Sequence, residues 1–266
     1  MKIIRFADTN GNIGYGAALD AALTQARRLT DSPLAGGVPA GEPVAVHRLL
    51  APLEPTNILA IGLNYRRHAE ESNMPVPERP ILFIKPTSTV IGPEEAIVLP
   101  VDSNEVDYEA ELAIVIGRAA RDVSEADALD YVLGYTCAND VSARDWQLRL
   151  DRQWARGKSF DTFCPLGPAI VTTDEIPNPD ALAIQMRVSG ETLQSSQTSD
   201  LIFSVPEIIA YLSRGMTLLP GTIILTGTPE GVGMGRTPQR WLRPGDVCEV
   251  EVEGIGILRN LVAAAR

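Results

Sequence analysis

Acidic residues occupy every second position at the start of the segment VDYEAELAIVIG, residues 106–117, as Asp107, Glu109 and Glu111. On a β-strand, residues two apart point to the same face, so Glu109 and Glu111 would project together, roughly 7 Å apart at their Cα atoms. Such carboxylates repel each other, and burial makes their charged forms more costly. A hard divalent cation, Mg²⁺, Mn²⁺ or Ca²⁺, removes both problems because it prefers oxygen ligands. A solvated polar face on an edge strand is the alternative, and an isolated pattern of this kind favours it.

A histidine and a carboxylate lie three residues apart, His68 and Glu71, just after a predicted strand at 57–62. On a helix they share a face. A neighbouring carboxylate orients an imidazole and stabilises its charged form, which suits a general base. The spacing is not H-E-x-x-H, so it does not indicate a zinc protease. The prolines of residues 73–80 predict an irregular segment, so the pair would lie on a short mobile lid. A surface helix of mixed charge remains the alternative.

Lysine is rare in a chain that otherwise uses arginine, and occurs only as Lys2, Lys85 and Lys158. Lys85 ends a predicted strand at 80–86, and Lys158 lies in the small, polar segment GKSFDTFCP. A lysine is a compact charge with a tunable pKa, which arginine cannot replace. This usage hints that both lysines have specific roles, although two chance lysines would look the same.

Further polar residues gather where predicted elements end. Asp140 ends a predicted strand at 134–141, and a helix is predicted to open in residues 142–147 with Arg144 and Gln147 on one face. The loop at 226–235, TGTPEGVGMG, is glycine-rich but lacks both the Walker A ending and the full G-x-G-x-x-G pattern. Its backbone N–H groups could still hold a carboxylate or an enolate.

The elements that position these residues are mainly strands. The run 112–116 is apolar and rich in β-branched residues, which predicts a strand buried on both faces. Residues 1–50 predict a small α/β unit, with strands at 2–6 and 13–17, a helix at 19–29 and a glycine- and proline-rich linker. Helices are short and no regular β-α-β alternation occurs, so the fold class is α+β, mostly β.

The composition of the chain limits the classes of partner that it can bind. The net charge of −11 argues against nucleic acid or an anionic membrane as the main partner, because both need a basic surface. It still permits a small anionic substrate in a locally basic pocket. No apolar run approaches the ~20 residues that span a bilayer, and the N-terminus lacks a signal-peptide pattern. The three cysteines form no C-x-x-C motif, which predicts reduced thiols in a cytoplasmic protein. The chain contains no G-x-S-x-G motif, which argues against a serine hydrolase.

Six segments, in this order, resemble the fumarylacetoacetate hydrolase family, and together they make a far more specific match than any one of them. They are GLNYRRHAEE at 62–71, LFIKP at 82–86, DYEAELAIVIG at 107–117, GYTCANDVSARDWQ at 134–147, GKSFDTFCPLGP at 157–168 and ILTGTPEGVG at 224–233. The match spans roughly residues 54 to 260. It implies the mixed β-roll of that family over residues 54–266, a variable N-terminal extension over residues 1–50, and a homodimer.

The resemblance also implies roles for the residues singled out above. Glu109, Glu111 and Asp140 match three carboxylate ligands of a Mg²⁺ or Mn²⁺ ion, which reverses the preference for a solvated face. His68 and Glu71 match a lid dyad that activates water, and Lys158 matches a lysine that meets substrate oxygens. Arg144, Gln147 and Thr228 fall at positions that resemble substrate contacts. Lys85 matches a motif residue to which no role is assigned.

The function implied is a divalent-metal-dependent hydrolase that cleaves a C–C bond in a β-dicarbonyl 2-oxo acid, such as an acylpyruvate or fumarylpyruvate, through a pyruvate enolate. The same chemistry leaves open an oxaloacetate decarboxylase or a 2-hydroxyhepta-2,4-diene-1,7-dioate isomerase of aromatic catabolism. A metal-stabilised dimer without catalysis is the non-enzyme alternative. The joint presence of five residues argues against it, because a protein without catalysis has no reason to keep all of them: Glu109, Glu111, Asp140, His68 and Lys158.

Overall fold

The structure, a computed structural model, describes residues 1–151 and 153–265. The strands are β1 Lys2–Asp8, β2 Ile13–Ala18, β3 Gln25–Leu29, β4 Pro39–Leu50, β5 Ile58–Gly62, β6 Ile81–Lys85, β7 Val90–Ile91, β8 Ile97–Leu99, β9 Val106–Asp107, β10 Ala110–Ile116, β11 Val132–Asn139, β12 Ser142–Ala143, β13 Cys164–Thr172, β14 Ala183–Val188, β15 Glu191–Gln197, β16 Ile223–Leu225, β17 Val247–Val252 and β18 Gly256–Ala264. The helices are α1 Arg66–Glu71, α2 Trp154–Gly157 and α3 Val205–Ser213. The predicted class, α+β and mostly β, is confirmed.

Two sheets form most of the molecule. The larger sheet has the order β2-β3-β4-β1-β13-β11-β10-β16-β5-β6, with β7 added on β13. The smaller sheet has the order β15-β14-β17-β18-β8, and β9 and β12 form a short separate pair. Most pairs are antiparallel, whereas β16 with β5, β13 with β7 and β18 with β8 are parallel. This mixed arrangement brings the ends of β5, β6, β10 and β11 to one region.

The centre of the larger sheet is β10, and all seven of its residues are buried. Its alternate side chains belong to different apolar clusters. Leu112 and Ile114 pack in the core that includes α3 and the smaller sheet, and Ala113 and Val115 pack with β5 and β16 on the other face. The prediction of a strand buried on both faces is therefore confirmed. Glu111 is the second residue of this strand, and Glu109 directly precedes it.

The helix predicted over residues 19–29 is wrong. Residues 20–24 form a turn, in which Asp20 accepts hydrogen bonds from the backbone N–H groups of Thr24 and Gln25, at 3.1 and 2.9 Å. Strand β3 then pairs with both β2 and β4. A short polar side chain that binds nearby N–H groups competes with helix formation, and here it starts a strand instead. The N-terminal extension is therefore built from strands, without the predicted α-helix.

Strand β1 joins the N-terminal residues to the rest of the chain. It pairs antiparallel with β13, with Lys2 opposite Val171 and Ile3 opposite Ile170. The Ile3 side chain lies in the same apolar cluster as Ala113 of β10. Residues 1–50 thus extend the larger sheet, and the predicted boundary between a domain at 1–50 and one at 54–266 stays a prediction.

Helix α3 begins with a capping box, as the sequence SVPE indicates. The Ser204 hydroxyl accepts from the Glu207 backbone N–H, and Glu207 Oε2 accepts from the Ser204 N–H at 2.7 Å. We expect Ser204→Ala to lower the free energy of unfolding by about 1 kcal/mol, because the first turn loses its side-chain acceptor. Urea denaturation followed by circular dichroism measures this change. The control Ser199→Ala, at an exposed serine, should unfold like the wild type; equal losses in both variants would contradict the prediction.

Within residues 1–151 and 153–265, no helix combines the length and the apolar character that a membrane crossing requires.

Candidate active site

Three carboxylates meet where β10 begins and β11 ends. Glu111 lies in β10, Glu109 directly precedes it, and Asp140 directly follows β11. The antiparallel register places Ala110 opposite Asn139, and the Asp140 N–H donates to the Glu109 carbonyl oxygen at 2.9 Å. One carboxylate oxygen from each of the three lies within 4.8 Å of the others, and all three side chains are buried. The structure therefore brings the predicted ligand set together.

Two buried lysines face these carboxylates. Lys158 Nζ donates to Glu109 Oε2 at 2.8 Å, to Asp140 Oδ2 at 2.7 Å and to the Ser142 hydroxyl at 2.7 Å. Lys85 Nζ donates to Asp140 Oδ1 at 2.6 Å. Asp140 therefore has one lysine on each oxygen. Two of the chain's three lysines lie in this cluster, which is the unusual usage noted in the sequence.

Neighbouring charges separate the titration of the two glutamates. Burial opposes the charged form of Glu109, but Lys158 and Arg144 outweigh it and lower its pKa to about 2. Burial, Asp140 and Glu109 all raise the pKa of Glu111 well above its usual range. Together with Asp107, which pairs with Arg144, four buried carboxylates thus face three buried cations, Lys85, Lys158 and Arg144.

That surplus carboxylate is an observation on which a bound metal can be tested. Glu111 Oε2 accepts from the Gly227 N–H at 2.7 Å, and among the described residues no lysine or arginine pairs with Glu111, whereas Lys158 pairs with both Glu109 and Asp140. A buried carboxylate that faces two others and lacks a cation of its own fits a hard divalent ion. The donor set is oxygen only, which suits Mg²⁺ or Mn²⁺ better than a softer metal.

The predicted acid–base pair lies on α1. His68 Nδ1 is 3.1 Å from Glu71 Oε2, and Glu71 Oε1 accepts from the Gly231 N–H at 2.9 Å. This contact assigns the Nδ1 proton to the bond with Glu71, so Nε2 is left as the basic nitrogen. The helix follows β5 and precedes the irregular segment at 72–80, as predicted. His68 is buried and borders the same cavity as the carboxylates.

Arg144 and Gln147 line the same cavity as the carboxylates. Residues 142 and 143 form β12 instead of opening a helix, and the helical turn begins at Arg144. Its guanidinium donates to Asp107 Oδ2 at 2.9 Å, to Glu109 Oε1 at 2.6 Å and to Gln147 Oε1 at 2.9 Å. Much of its donor capacity is therefore used within the protein. Because Gln147 Oε1 accepts from Arg144, the Gln147 amide nitrogen is left to donate into the cavity.

Thr228 belongs to the glycine-rich loop and is tied to the strand that carries Glu111. Its hydroxyl donates to the Ala110 carbonyl at 3.0 Å and accepts from Gln194 Nε2 at 2.8 Å. Gln194 Oε1 in turn accepts from the Ala110 N–H at 2.9 Å. Thr228 therefore borders the cavity, while its hydroxyl is held by the protein.

One cavity of about 230 Å³ connects these groups. Its polar lining contains the predicted residues His68, Glu109, Glu111, Asp140, Arg144, Gln147, Lys158 and Thr228. Glu71 lies behind His68. The remaining wall is mainly apolar and includes Ile61, Leu63, Met74, Phe83, Leu148, Trp154 and Met234. A small ligand in this cavity would thus meet both charged or polar groups and apolar side chains.

Sequence reasoning left Asp107, Lys85 and Gln194 without roles. Asp107 shares the alternating pattern with Glu109 and Glu111, yet the structure places it outside the carboxylate triad and against Arg144. Lys85 carried a signal, since lysine is rare in this chain, but its partner Asp140 lies far away in sequence. Gln194 carried no signal, because a buried glutamine in a strand has no distinctive pattern.

Comparison with known proteins gives one family. The family model described as fumarylacetoacetate (FAA) hydrolase C-terminal matches residues 57–263. The chain is 49% identical to oxaloacetate tautomerase Fahd2a, mitochondrial, of Rattus norvegicus over 214 residues, which cover 80% of this chain and 68% of the rat protein.

Two solved structures share this fold over nearly the whole chain. A crystal structure of 5-carboxymethyl-2-hydroxymuconate delta-isomerase from Mycobacterium smegmatis superposes with a TM-score of 0.89 at 40% identity, covering 100% of both chains. A crystal structure of 2-hydroxyhepta-2,4-diene-1,7-dioate isomerase from Mycobacterium marinum has a TM-score of 0.87 at 38% identity, covering 99% of this chain and 98% of that one.

Proposed function

Because this chain belongs to the fumarylacetoacetate hydrolase family, we propose that it transfers a proton to and from C3 of a 2-oxo acid, interconverting the enol and keto forms of oxaloacetate. The observation that carries the proposal is the His68–Glu71 pair, which borders the same small cavity as a buried carboxylate triad and Lys158. The rat relative, named as an oxaloacetate tautomerase, supports the choice of substrate. Both isomerase structures bear names for reactions that also move a proton.

The charged and polar residues of the cavity would bind the 2-oxo acid. Glu109, Glu111 and Asp140 would hold Mg²⁺ or Mn²⁺, which, when bound, supplies Lewis-acid stabilisation of a developing enolate oxygen. Lys158 and the Gln147 amide would donate hydrogen bonds to substrate oxygens, which fixes the orientation of the substrate.

His68 would carry the proton. In the direction from enol to keto, the C2 hydroxyl would lose its proton to His68 Nε2, and the imidazolium would then deliver that proton to C3 while the C2 oxygen becomes a carbonyl. In the reverse direction, His68 Nε2 removes a proton from C3. Glu71 stabilises the imidazolium through its contact with Nδ1, so the ring holds the proton between the two steps.

Hydrolysis of an acylpyruvate is the second candidate, and the apolar wall of the cavity favours it. Leu63, Leu148 and Trp154 offer contacts to an acyl chain, which oxaloacetate lacks. His68 would take a proton from water, the resulting hydroxide would attack the distal carbonyl, and the C–C bond would break. The products are a carboxylic acid and the pyruvate enolate, which takes the proton back from the His68 imidazolium to give pyruvate.

A substrate panel separates these functions. Purified protein is incubated with enol oxaloacetate and, separately, with an acylpyruvate, each with Mg²⁺ and with EDTA, and the products are followed by ultraviolet absorbance and proton NMR. Faster metal-dependent loss of the enol without pyruvate supports the tautomerase. Pyruvate from oxaloacetate indicates a decarboxylase, and pyruvate with a free acid from the acylpyruvate indicates the hydrolase. Rates equal to those without protein would reject all three.

Gly235 offers a test of the dyad that does not alter either of its members. A Cβ at this position would lie 2.6 Å from Glu71 Cδ and 2.7 Å from Glu71 Oε1. Gly235→Ala should therefore push the carboxylate away from His68 and lower kcat between about 10- and 100-fold, because the base is misplaced. Mn²⁺ affinity should not change, since no predicted ligand moves.

Gly14→Ala is the control for that variant. A Cβ there meets the flexible end of Arg28 in the N-terminal strands, far along the larger sheet from the cavity. Turnover of this variant should equal that of the wild type. If Gly235→Ala also keeps full turnover, Glu71 does not need its observed position for catalysis.

The homodimer implied by the resemblance remains our proposal, as does the cytoplasmic location. Size-exclusion chromatography with light scattering measures the mass directly, and a mass near 28.7 kDa would reject the dimer.

A further inference from the structure

Asp107 is a fully buried carboxylate whose acceptor positions are filled by the protein. Its Oδ1 accepts from the N–H groups of Gly233 at 2.7 Å and Tyr108 at 2.9 Å. Its Oδ2 accepts from Arg144 Nε at 2.9 Å and from the Met234 N–H at 3.1 Å. A carboxylate with this many donors has little capacity left for a metal or a substrate.

Arg144 connects this carboxylate to the triad. Nε pairs with Asp107, while one terminal nitrogen pairs with Glu109 Oε1 at 2.6 Å. The guanidinium is planar and holds both acids in a fixed geometry. One positive charge is therefore divided between two buried anions, of which only Glu109 belongs to the triad.

This division bears on any cation that the triad holds. Glu109 already receives Lys158 on its second oxygen, so each further positive charge competes with a divalent ion for the same carboxylate. With Asp107 as its second partner, Arg144 is partly neutralised and is drawn towards Asp107. Without the Asp107 charge, the whole charge of the guanidinium would fall on Glu109.

We propose that Asp107 is a positioning residue. By sharing Arg144 with Glu109, it keeps Glu109 available to bind a divalent cation, which Asp107 itself does not contact. The proposal rests on the metal site of the proposed function. It assigns different roles to acidic residues that alternate in one short segment: Glu109 and Glu111 bind, and Asp107 adjusts the charge around them.

The turn at 233–235 supports the same assignment. A Cβ on Gly233 would lie 2.7 Å from Asp107 Oδ1 and 2.0 Å from the Arg240 carbonyl oxygen, so the backbone passes directly against the carboxylate. The next residue, Met234, lines the cavity. Asp107 thus holds both the guanidinium and one wall of the cavity in place.

Titration of the full-length, metal-free protein with Mn²⁺, followed by electron paramagnetic resonance without substrate, tests the proposal. Asp107→Asn keeps the size of the side chain and removes its charge, and we expect Mn²⁺ to bind about tenfold more weakly. Asp8→Asn is the matched control. Asp8 also accepts from two backbone N–H groups, those of Asn10 and Asn12, and from Arg28, but on β1 at a distance from the triad. Its Mn²⁺ affinity should stay within about twofold of the wild type.

A second background separates action through Arg144 from a general structural effect. In Arg144→Gln protein, the further change Asp107→Asn should weaken Mn²⁺ binding no more than about threefold, because the shared cation is gone. An equal loss in both backgrounds would overturn the role assigned to Asp107. If Asp107→Asn does not fold, Arg144→Gln alone decides: the proposal expects Mn²⁺ affinity at least equal to that of the wild type, and weaker binding overturns it.

Failure of the metal site itself gives a different result. Wild-type protein that binds no Mn²⁺ overturns the metal assignment and, with it, the role of Asp107. Wild-type binding with an unchanged affinity in Asp107→Asn overturns the role of Asp107 alone.

Discussion

His68→Ala should lower turnover by about 10²- to 10⁴-fold, the usual contribution of a positioned general acid or base. The imidazole is the basic group that the structure places beside both the carboxylate triad and the apolar wall, and Glu71 holds its Nδ1 side. Without the imidazole, the dyad can neither move a proton to or from C3 of the substrate nor take one from water. The variant should still bind Mn²⁺ with wild-type affinity, because His68 is not in the triad.

The measurement compares kcat on the best substrate of the panel with Mn²⁺ affinity by titration. The control is His47→Ala, which removes the only other histidine of the chain, at an exposed position on β4. That variant should keep both properties. Full turnover in His68→Ala would remove the general base from the mechanism, and a parallel loss of metal would indicate a structural role instead.

Glu109→Gln should have the largest combined effect, because Glu109 joins three groups. Its oxygens accept from Lys158 and Arg144, and it is one of the three predicted ligands. Replacing it by an uncharged amide should weaken Mn²⁺ binding at least about 100-fold, since one of three anionic ligands disappears. Activity that requires the metal should be lost to the same extent.

The same substitution should also destabilise the metal-free protein. It leaves two buried cations short of an anion, and removing one partner of a buried pair costs about 3–5 kcal/mol. Urea denaturation in EDTA measures this loss. Glu249→Gln is the control, because Glu249 pairs with Arg187 on the partly exposed face of the smaller sheet and should contribute at most about 1 kcal/mol. Equal stability of the two variants would contradict the buried ion cluster.

Local patterns were sufficient for much of the fold. The buried strand at 112–116 and the capping box at Ser204 are visible in the sequence, because each depends on neighbouring residues. The predicted helix at 19–29 failed for the same kind of reason. Its apolar spacing was helical, but Asp20 binds the N–H groups of the following turn, and sheet pairing completes the strand.

For the site, the sequence supplied the residue types, and resemblance to a family grouped them. Spacing alone placed Asp107, Glu109 and Glu111 in one series and could not say which of them share a cavity. The extended segment is interrupted between the end of β9 at Asp107 and the start of β10 at Ala110, and Asp107 pairs with Arg144. The pairing of β10 with β11 brings Asp140 to Glu109 and Glu111. A local period of two cannot contain that information.

The sequence by itself therefore determined the strand-rich class, the buried central strand and the list of polar residues that could perform chemistry. Only the tertiary structure decided that Lys85 and Lys158 each bind one oxygen of Asp140. It also decided that Glu71 accepts a hydrogen bond from the glycine-rich loop and that Asp107 pairs with Arg144. The physical reason is the separation along the chain between the residues that interact. Burial and strand periodicity arise from adjacent residues, whereas the partner of a buried charge is set by contacts between segments far apart in the chain.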